Sequence, residues 1–247
     1  MMIRPTINEA KKISQKHKTK GPFEESLHCY CLLHQSIIHL LAIIIIMSHE
    51  LIYFNGKGRA EAIRILLHAA GVEFKDTRLG FADFQALKPT TPLGCLPILK
   101  INNQSHVQST ALGRYAAKLA GLYPTDDPLA ALVVDEACET CNELVAKMPF
   151  GASPDLEAKR KDFQATVMPV YAAFLESLIQ QNGGTYVKGQ TMTVADVMIY
   201  VTVAGMESGN LDFLDAQFFK AYPGITATAQ AVAANDKVKA YYASKEN

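Results

Sequence analysis

Residues 51–61, with the sequence LIYFNGKGRAE, constrain the fold most, because they predict a strand that stops at two glycines and continues as a helix. The first four residues are apolar or aromatic, and Gly56 and Gly58 then break the extended chain. A helix that begins after such a turn aims free backbone N–H groups at the strand end. Tyr53 lies there, so its hydroxyl could hold an anion; the alternative is that its ring only packs in the core.

Residues 92–107 predict a β-hairpin preceded by a proline. Asn102 and Asn103 separate two runs that contain apolar residues, and Asn tolerates the left-handed conformation that a two-residue turn needs. Pro97 comes just before the first strand, where it cannot donate to a sheet ladder. A cis Leu96–Pro97 bond would leave the preceding backbone free to pair with a ligand, whereas a trans bond would make Pro97 an ordinary loop residue.

A third segment begins at Gln108 and Ser109 and continues as a helix with periodic apolar residues that ends at Gly121. Small polar residues before such a helix usually cap it, and their hydroxyl and N–H groups also suit a carboxylate. Together the three segments predict the order strand, helix, hairpin and helix, with ligand-type features in the loops at one edge.

This order resembles that of the cytosolic glutathione transferases, most of all the sigma class, in its Tyr-Phe, Gly-Arg-Ala-Glu, Leu-Pro and Gln-Ser motifs. The resemblance covers the chain from about Met47 to the C-terminus. It implies an α/β thioredoxin-like N-terminal domain at 48–124 that binds glutathione, and an all-α helical C-terminal domain at 125–247.

The resemblance also implies roles for individual residues. Tyr53 would donate its hydroxyl to the glutathione sulfur as the catalytic group, and Arg59 would anchor the helix start and add positive potential. The other contacts follow the parts of the tripeptide: Lys88 at the glycyl carboxylate, the backbone of Cys95 and Leu96 at the cysteinyl unit, and Gln108 with Ser109 at the γ-glutamyl group. For Lys88 the alternative is a solvated surface lysine.

Two positions depart from the sigma-class pattern. Phe84, a further residue of the implied glutathione site, stands where these relatives usually have tryptophan, so one indole N–H donor is missing and weaker glutathione binding is expected. Cys95 stands where many relatives have Gln or Lys, although its backbone could still pair with the ligand.

The resemblance further implies a homodimer, in which Asp135 of one subunit meets the γ-glutamyl amino group of glutathione bound to the other. Asp135 lies within a predicted helix whose apolar face should pack on its own domain, which would leave the carboxylate to point elsewhere. The alternative is a surface aspartate that is merely solvated.

The helical half contains apolar residues at largely helical spacing over residues 128–149 and 163–179, and Pro169 predicts a kink in the second stretch. Thr193 and Asp196 precede another apolar helix as a capping pair, so they are predicted to serve folding rather than chemistry.

Charge and cysteine content narrow the function classes. Of 24 basic and 24 acidic residues, 6 and 3 lie before Met47, which leaves 18 and 21 without a basic run and argues against nucleic acid as a partner. Cys138 and Cys141 have redox spacing, but they fall inside a helical pattern and are predicted to be buried or half-buried thiols. No residue spacing suggests zinc, so neither a metal nor a cofactor is expected, with glutathione as co-substrate.

The first 46 residues pose a separate question. Lysines precede the apolar run at 37–46, which is as short as the core of a signal peptide and shorter than the roughly 20 residues of a membrane span. A start of the native product at Met47, or a disordered extension over 1–47 outside the fold, is favoured over a membrane anchor, and a cytoplasmic location is expected.

The resemblance implies a detoxification-type glutathione S-transferase that conjugates the thiolate to small hydrophobic electrophiles, with the helical domain supplying the electrophile pocket. Two alternatives stay open. One is a glutathione-dependent isomerase or peroxidase that uses the same thiolate, and the other is a non-catalytic structural or ligand-carrying relative, like the sigma-like lens proteins.

Overall fold

A computed structural model describes residues 47–245. The extension predicted over residues 1–47 therefore lies outside the described residues, apart from Met47. A mixed four-stranded sheet forms the N-terminal part, with the order β2-β1-β3-β4. Its strands are β1 (His49–Phe54), β2 (Lys75–Leu79), β3 (Ile98–Ile101) and β4 (Gln104–Val107).

Strand β1 pairs in parallel with β2 and antiparallel with β3, and β3 pairs antiparallel with β4. Leu51 and Leu99 lie opposite each other and are fully buried. A parallel pair needs a crossover, which α1 (Glu61–Ala69) provides. Two more helices flank the sheet, α2 (Phe81–Leu87) and α3 (Ser109–Ala120).

The hairpin predicted from the Asn-Asn pair is confirmed. Asn102 and Asn103 have φ angles of 50° and 66°, and they join β3 to β4. Of the two alternatives for Pro97, the structure has the cis Leu96–Pro97 bond.

The C-terminal part is helical. Its main helices are α4 (Pro128–Lys147), α5 (Leu156–Asp162), α6 (Met168–Gln181), α7 (Val194–Met206), α8 (Pro223–Ala234) and α9 (Asp236–Ala243). The interruption predicted at Pro169 takes the form of a π-helical turn, Phe163–Val167, directly before α6. Such a turn widens the helix just where proline removes a backbone donor.

The predicted capping pair at the start of α7 is confirmed, and Asp196 is fully buried. Its carboxylate accepts the backbone N–H of Thr193 at 2.7 Å, the Thr193 hydroxyl at 2.9 Å and the backbone N–H of Val187 at 2.8 Å. One side chain therefore accepts hydrogen bonds from donors at the start of α7 and also fixes the loop before this helix.

No helix between Met47 and Lys245 is both long and apolar enough to cross a membrane.

Candidate active site

Tyr53 lies near the carboxyl end of β1 and is half-buried. Its hydroxyl oxygen accepts a hydrogen bond from the backbone N–H of Arg59, with 3.2 Å between the two heavy atoms. Arg59 belongs to the short 3₁₀ turn Gly58–Ala60, which leads directly into α1. The strand–turn–helix geometry predicted around Tyr53 is therefore present, and the hydroxyl is engaged by the turn.

Gly58 allows this close approach. Its φ angle is +43°, and a Cβ atom at this position would lie 2.7 Å from the Tyr53 hydroxyl oxygen. Only a residue without a side chain fits both the backbone angle and the contact. Gly56, two residues earlier, has no atom within 4 Å of an added Cβ.

The two glycines give a matched pair of variants. We expect Gly58→Ala to lower kcat/KM for conjugation roughly tenfold, a loss typical of one misplaced hydrogen-bond donor. The added Cβ would push the Tyr53 hydroxyl and the Arg59 N–H apart. Gly56→Ala should stay close to the wild type. Steady-state kinetics on both variants checks this, and equal effects at the two positions would contradict it.

Arg64, which the sequence analysis did not identify, is fully buried beside this turn. Its guanidinium pairs with Glu61 at 3.1 Å and with Asp76 at 3.0 Å. It also donates to the backbone carbonyls of Gly56 and Lys57 at 2.9 and 3.3 Å. The only signal in the sequence was a basic residue on an otherwise apolar helix face, which by itself does not reveal such a network.

A cavity of about 460 Å³ begins at this turn and extends between α4 and α7. Gly58 and Arg59 line one end of it together with Ser109 at the start of α3. Methionine and other apolar side chains dominate the rest, among them Met148 and Met198. Tyr53 itself does not line the cavity, but the two turn residues that touch its hydroxyl do.

Gln108 and Ser109 precede and open α3. Gln108 has the unusual backbone angles φ 76° and ψ 101°, and its side chain makes no capping hydrogen bond within the described chain. The interpretation of Gln108 as an ordinary cap is therefore wrong. A strained backbone in front of an uncapped helix is typical of a ligand site rather than of a folding signal.

Lys88, Cys95 and Leu96 lie together in the connection between α2 and β3. A Cβ atom at Gly94 would lie 3.5 Å from Lys88 Cε, so the lysine stem runs beside this loop. Lys88 and Cys95 are exposed, and Leu96 is half-buried. Lys88 has no carboxylate partner among residues 47–245, and none of the three residues lines the cavity.

Phe84 is buried and packs edge-on against Phe54, with 5.1 Å between the ring centroids. Its position next to the last residue of β1 keeps it near Tyr53. A phenyl ring has no N–H to donate, so this residue can shape the site but cannot donate a hydrogen bond to a carboxylate there.

The Asp135 carboxylate meets partners outside its own helical domain, as predicted, and its contact with glutathione bound to the partner subunit stays a prediction. Its Oδ1 accepts Arg114 Nε at 2.7 Å, and its Oδ2 accepts the Tyr123 hydroxyl at 3.1 Å. Arg114 also pairs with Glu139 at 2.8 Å. These partners, on α3 and in the loop after it, explain where the carboxylate points. The helical spacing of apolar residues does not reveal contacts of this kind.

The two cysteines of α4 are buried, as predicted. Burial raises the pKa of the Cys138 thiol well above its usual range and that of Cys141 to about 12. Both therefore stay protonated and unreactive, although Cys141 lines the cavity.

Comparison with known proteins identifies the family. The glutathione S-transferase N-terminal domain matches residues 49–118, and the glutathione S-transferase C-terminal domain matches residues 141–245. A glutathione S-transferase of Anopheles gambiae is 32% identical over 206 residues, which cover 80% of this chain and 97% of the relative. The chain belongs to the glutathione S-transferase family.

Two further relatives support the predicted sigma-like resemblance. S-crystallin SL11 of Nototodarus sloanii is 31% identical over 81% of this transferase and 98% of its own chain. The structure of prostaglandin synthase D of Nilaparvata lugens superposes with a TM-score of 0.70 at 25% identity, over 79% of this chain and 96% of the other. The predicted fold, a thioredoxin-like domain followed by a helical domain, is thereby confirmed.

Proposed function

We propose that this transferase binds glutathione beside Tyr53 and conjugates its thiolate to small hydrophobic electrophiles held in the cavity. The observation that carries the proposal is the Tyr53 hydroxyl, which accepts the Arg59 N–H and so keeps its own proton for a ligand. The adjoining 460 Å³ cavity is predominantly apolar, as a site for hydrophobic molecules should be.

The chemistry follows from the thiol. A free cysteine thiol has a pKa of about 8.5 and is mostly protonated at neutral pH. A hydroxyl that donates to the sulfur stabilises the thiolate, and each unit by which the thiol pKa falls corresponds to about 1.4 kcal/mol. The N–H that Arg59 donates to Tyr53 polarises the hydroxyl and makes it a stronger donor.

Charges around the turn match those of the tripeptide. Lys88 is free to face the glycyl carboxylate, and the uncapped start of α3 with Gln108 and Ser109 suits the γ-glutamyl carboxylate. The backbone of Cys95 and Leu96 would pair with the cysteinyl unit. In this proposal residues 48–124 form the glutathione-binding domain and residues 125–247 supply the electrophile side.

A homodimer is part of the same proposal. Large apolar side chains are exposed on α2 and α4 and in the loop before β3, including Phe81 at 72% and Leu129 at 71%. In this proposal these exposed side chains contribute to the contact between the two subunits. A trans contact of Asp135 with glutathione would require this carboxylate to bind an ammonium while it still holds Arg114 and Tyr123. Free thiols at Cys95, Cys138 and Cys141 are consistent with a cytoplasmic location.

A structural role is the second candidate, because an S-crystallin is as similar to this chain as several named transferases are. Glutathione-agarose capture followed by conjugation assays on a panel of electrophiles separates the two. Capture with turnover supports the enzyme, and capture without turnover of any electrophile or peroxide supports the structural role. Glutathione-dependent isomerisation or peroxide reduction without conjugation would point to the third alternative, a related activity of the same thiolate.

A further inference from the structure

Arg64 is a buried charge close to the proposed catalytic group. Its Cζ lies 5.9 Å from the centre of the Tyr53 ring, and its side chain is fully buried. A buried donor loses its hydrogen bonds to water and needs a partner in the protein instead. Arg64 Nη2, however, is buried without a hydrogen-bond partner among residues 47–245. A buried donor that is left unpaired lowers stability, so this arrangement suggests a role beyond stability.

The contacts of Arg64 converge on one loop. Nη1 donates to the carbonyl oxygens of Gly56 and Lys57, and Nε is fixed on the other side by Asp76 of β2. The loop continues directly into Gly58 and Arg59. Arg64 therefore ties the loop to the sheet at a point two residues before the N–H that meets the Tyr53 hydroxyl.

We infer that Arg64 is a positioning residue for Tyr53, because it fixes the loop whose Arg59 N–H donates to the catalytic hydroxyl. This inference rests on the proposed function of Tyr53. Arg64 acts through the loop backbone and does not touch glutathione. A planar guanidinium is required, since it reaches two carboxylates and two carbonyls at once, whereas a lysine ammonium is a single point charge.

Other charged groups surround this network and are unchanged by an Arg64→Lys substitution. They are Lys57 in the loop, Glu61 and His68 on α1, Asp76 and Arg78 on β2, and Tyr241, Tyr242 and Lys245 at the C-terminal helix. Among these groups, His68 packs edge-on against the Tyr241 ring, with 5.7 Å between the ring centroids.

The test is the pH profile of kcat/KM for conjugation by Arg64→Lys, which keeps the positive charge. We expect the apparent pKa of the profile to rise by about one unit, which lowers kcat/KM about tenfold near pH 6.5 and leaves activity near the wild-type level at high pH. Glu176→Gln is the stability control, because Glu176 is a buried carboxylate that holds the backbone N–H groups of Gly224 and Ile225 far along the chain. It should lower Tm without moving the profile.

Should Arg64→Lys not fold, the triple variant Arg64→Met with Glu61→Gln and Asp76→Leu removes the buried cation together with both carboxylates that pair with it, a replacement that proteins often tolerate. It should shift the profile in the same direction. A profile identical to the wild type in the folded variant overturns the inference. If the wild type conjugates no electrophile, or if Tyr53→Phe is fully active, the proposed function itself fails. This result differs from an unchanged pH profile in the Arg64 variant, which overturns only the inference about Arg64.

Discussion

Tyr53→Phe is expected to lower kcat for conjugation roughly a hundredfold, the scale for losing one preorganised donor to a developing anion. The variant keeps the ring and its packing against Phe54 but removes the proton that would stabilise the sulfur. It also removes the acceptor of the Arg59 N–H, which is exposed enough for water to replace it. Glutathione affinity should change little, because the proposed contacts of Lys88 and Ser109 are untouched.

Tyr115→Phe is the matched control. The Tyr115 hydroxyl lies 2.8 Å from His49 Nε2 and has no part in the proposed chemistry at the Gly58 turn. Its removal should alter stability slightly and turnover hardly at all. Steady-state kinetics with saturating glutathione measures both variants, and full turnover by Tyr53→Phe would refute the role of its hydroxyl.

Asp196→Ala is expected to lower the free energy of unfolding by about 3 kcal/mol at neutral pH. The substitution removes the helix cap and leaves the N–H groups of Val187 and Thr193 and the Thr193 hydroxyl unpaired in the protein interior. Urea unfolding followed by circular dichroism measures the loss. Thr193→Ser, which keeps the hydroxyl, should cost far less.

The same variant carries a pH signature. Burial raises the pKa of Asp196 to about 6, against the hydrogen bonds from Val187 and Thr193, which lower it. The folded state binds this proton more tightly than the unfolded chain does. The contribution of the Asp196 carboxyl to the free energy of unfolding is therefore fully present below about pH 4 and is lost as the pH rises through 6. The stability gap between the wild type and Asp196→Ala should therefore be wider at pH 5 than at pH 7. A gap that narrows toward pH 5 would contradict the raised pKa.

Features set by neighbouring residues were predictable from the sequence. The strand-to-helix turn at Gly56 and Gly58, the Asn102–Asn103 hairpin and the Thr193–Asp196 cap each depend on backbone preferences within a few residues. Strand β2 was not identified, because its sequence KDTRL lacks apolar alternation and its pairing with β1 alone makes it a strand.

Contacts between distant segments could not be predicted in this way. Arg64 meets Asp76 across a helix–strand packing, and Arg114 on α3 captures Asp135 on α4. Glu176 caps α8 from 48 residues away. Each of these pairs depends on tertiary packing, which a helical period does not encode, and this is why the partners of Asp135 could not be named from the sequence.

The most direct test of the central claim is the pKa of the thiol of bound glutathione, measured from thiolate ultraviolet absorbance in the wild type as a function of pH. The account predicts a value at least about one unit below the ~8.5 of a free thiol, and a return toward that value in Tyr53→Phe. Bound glutathione that titrates like the free thiol in the wild type would contradict it.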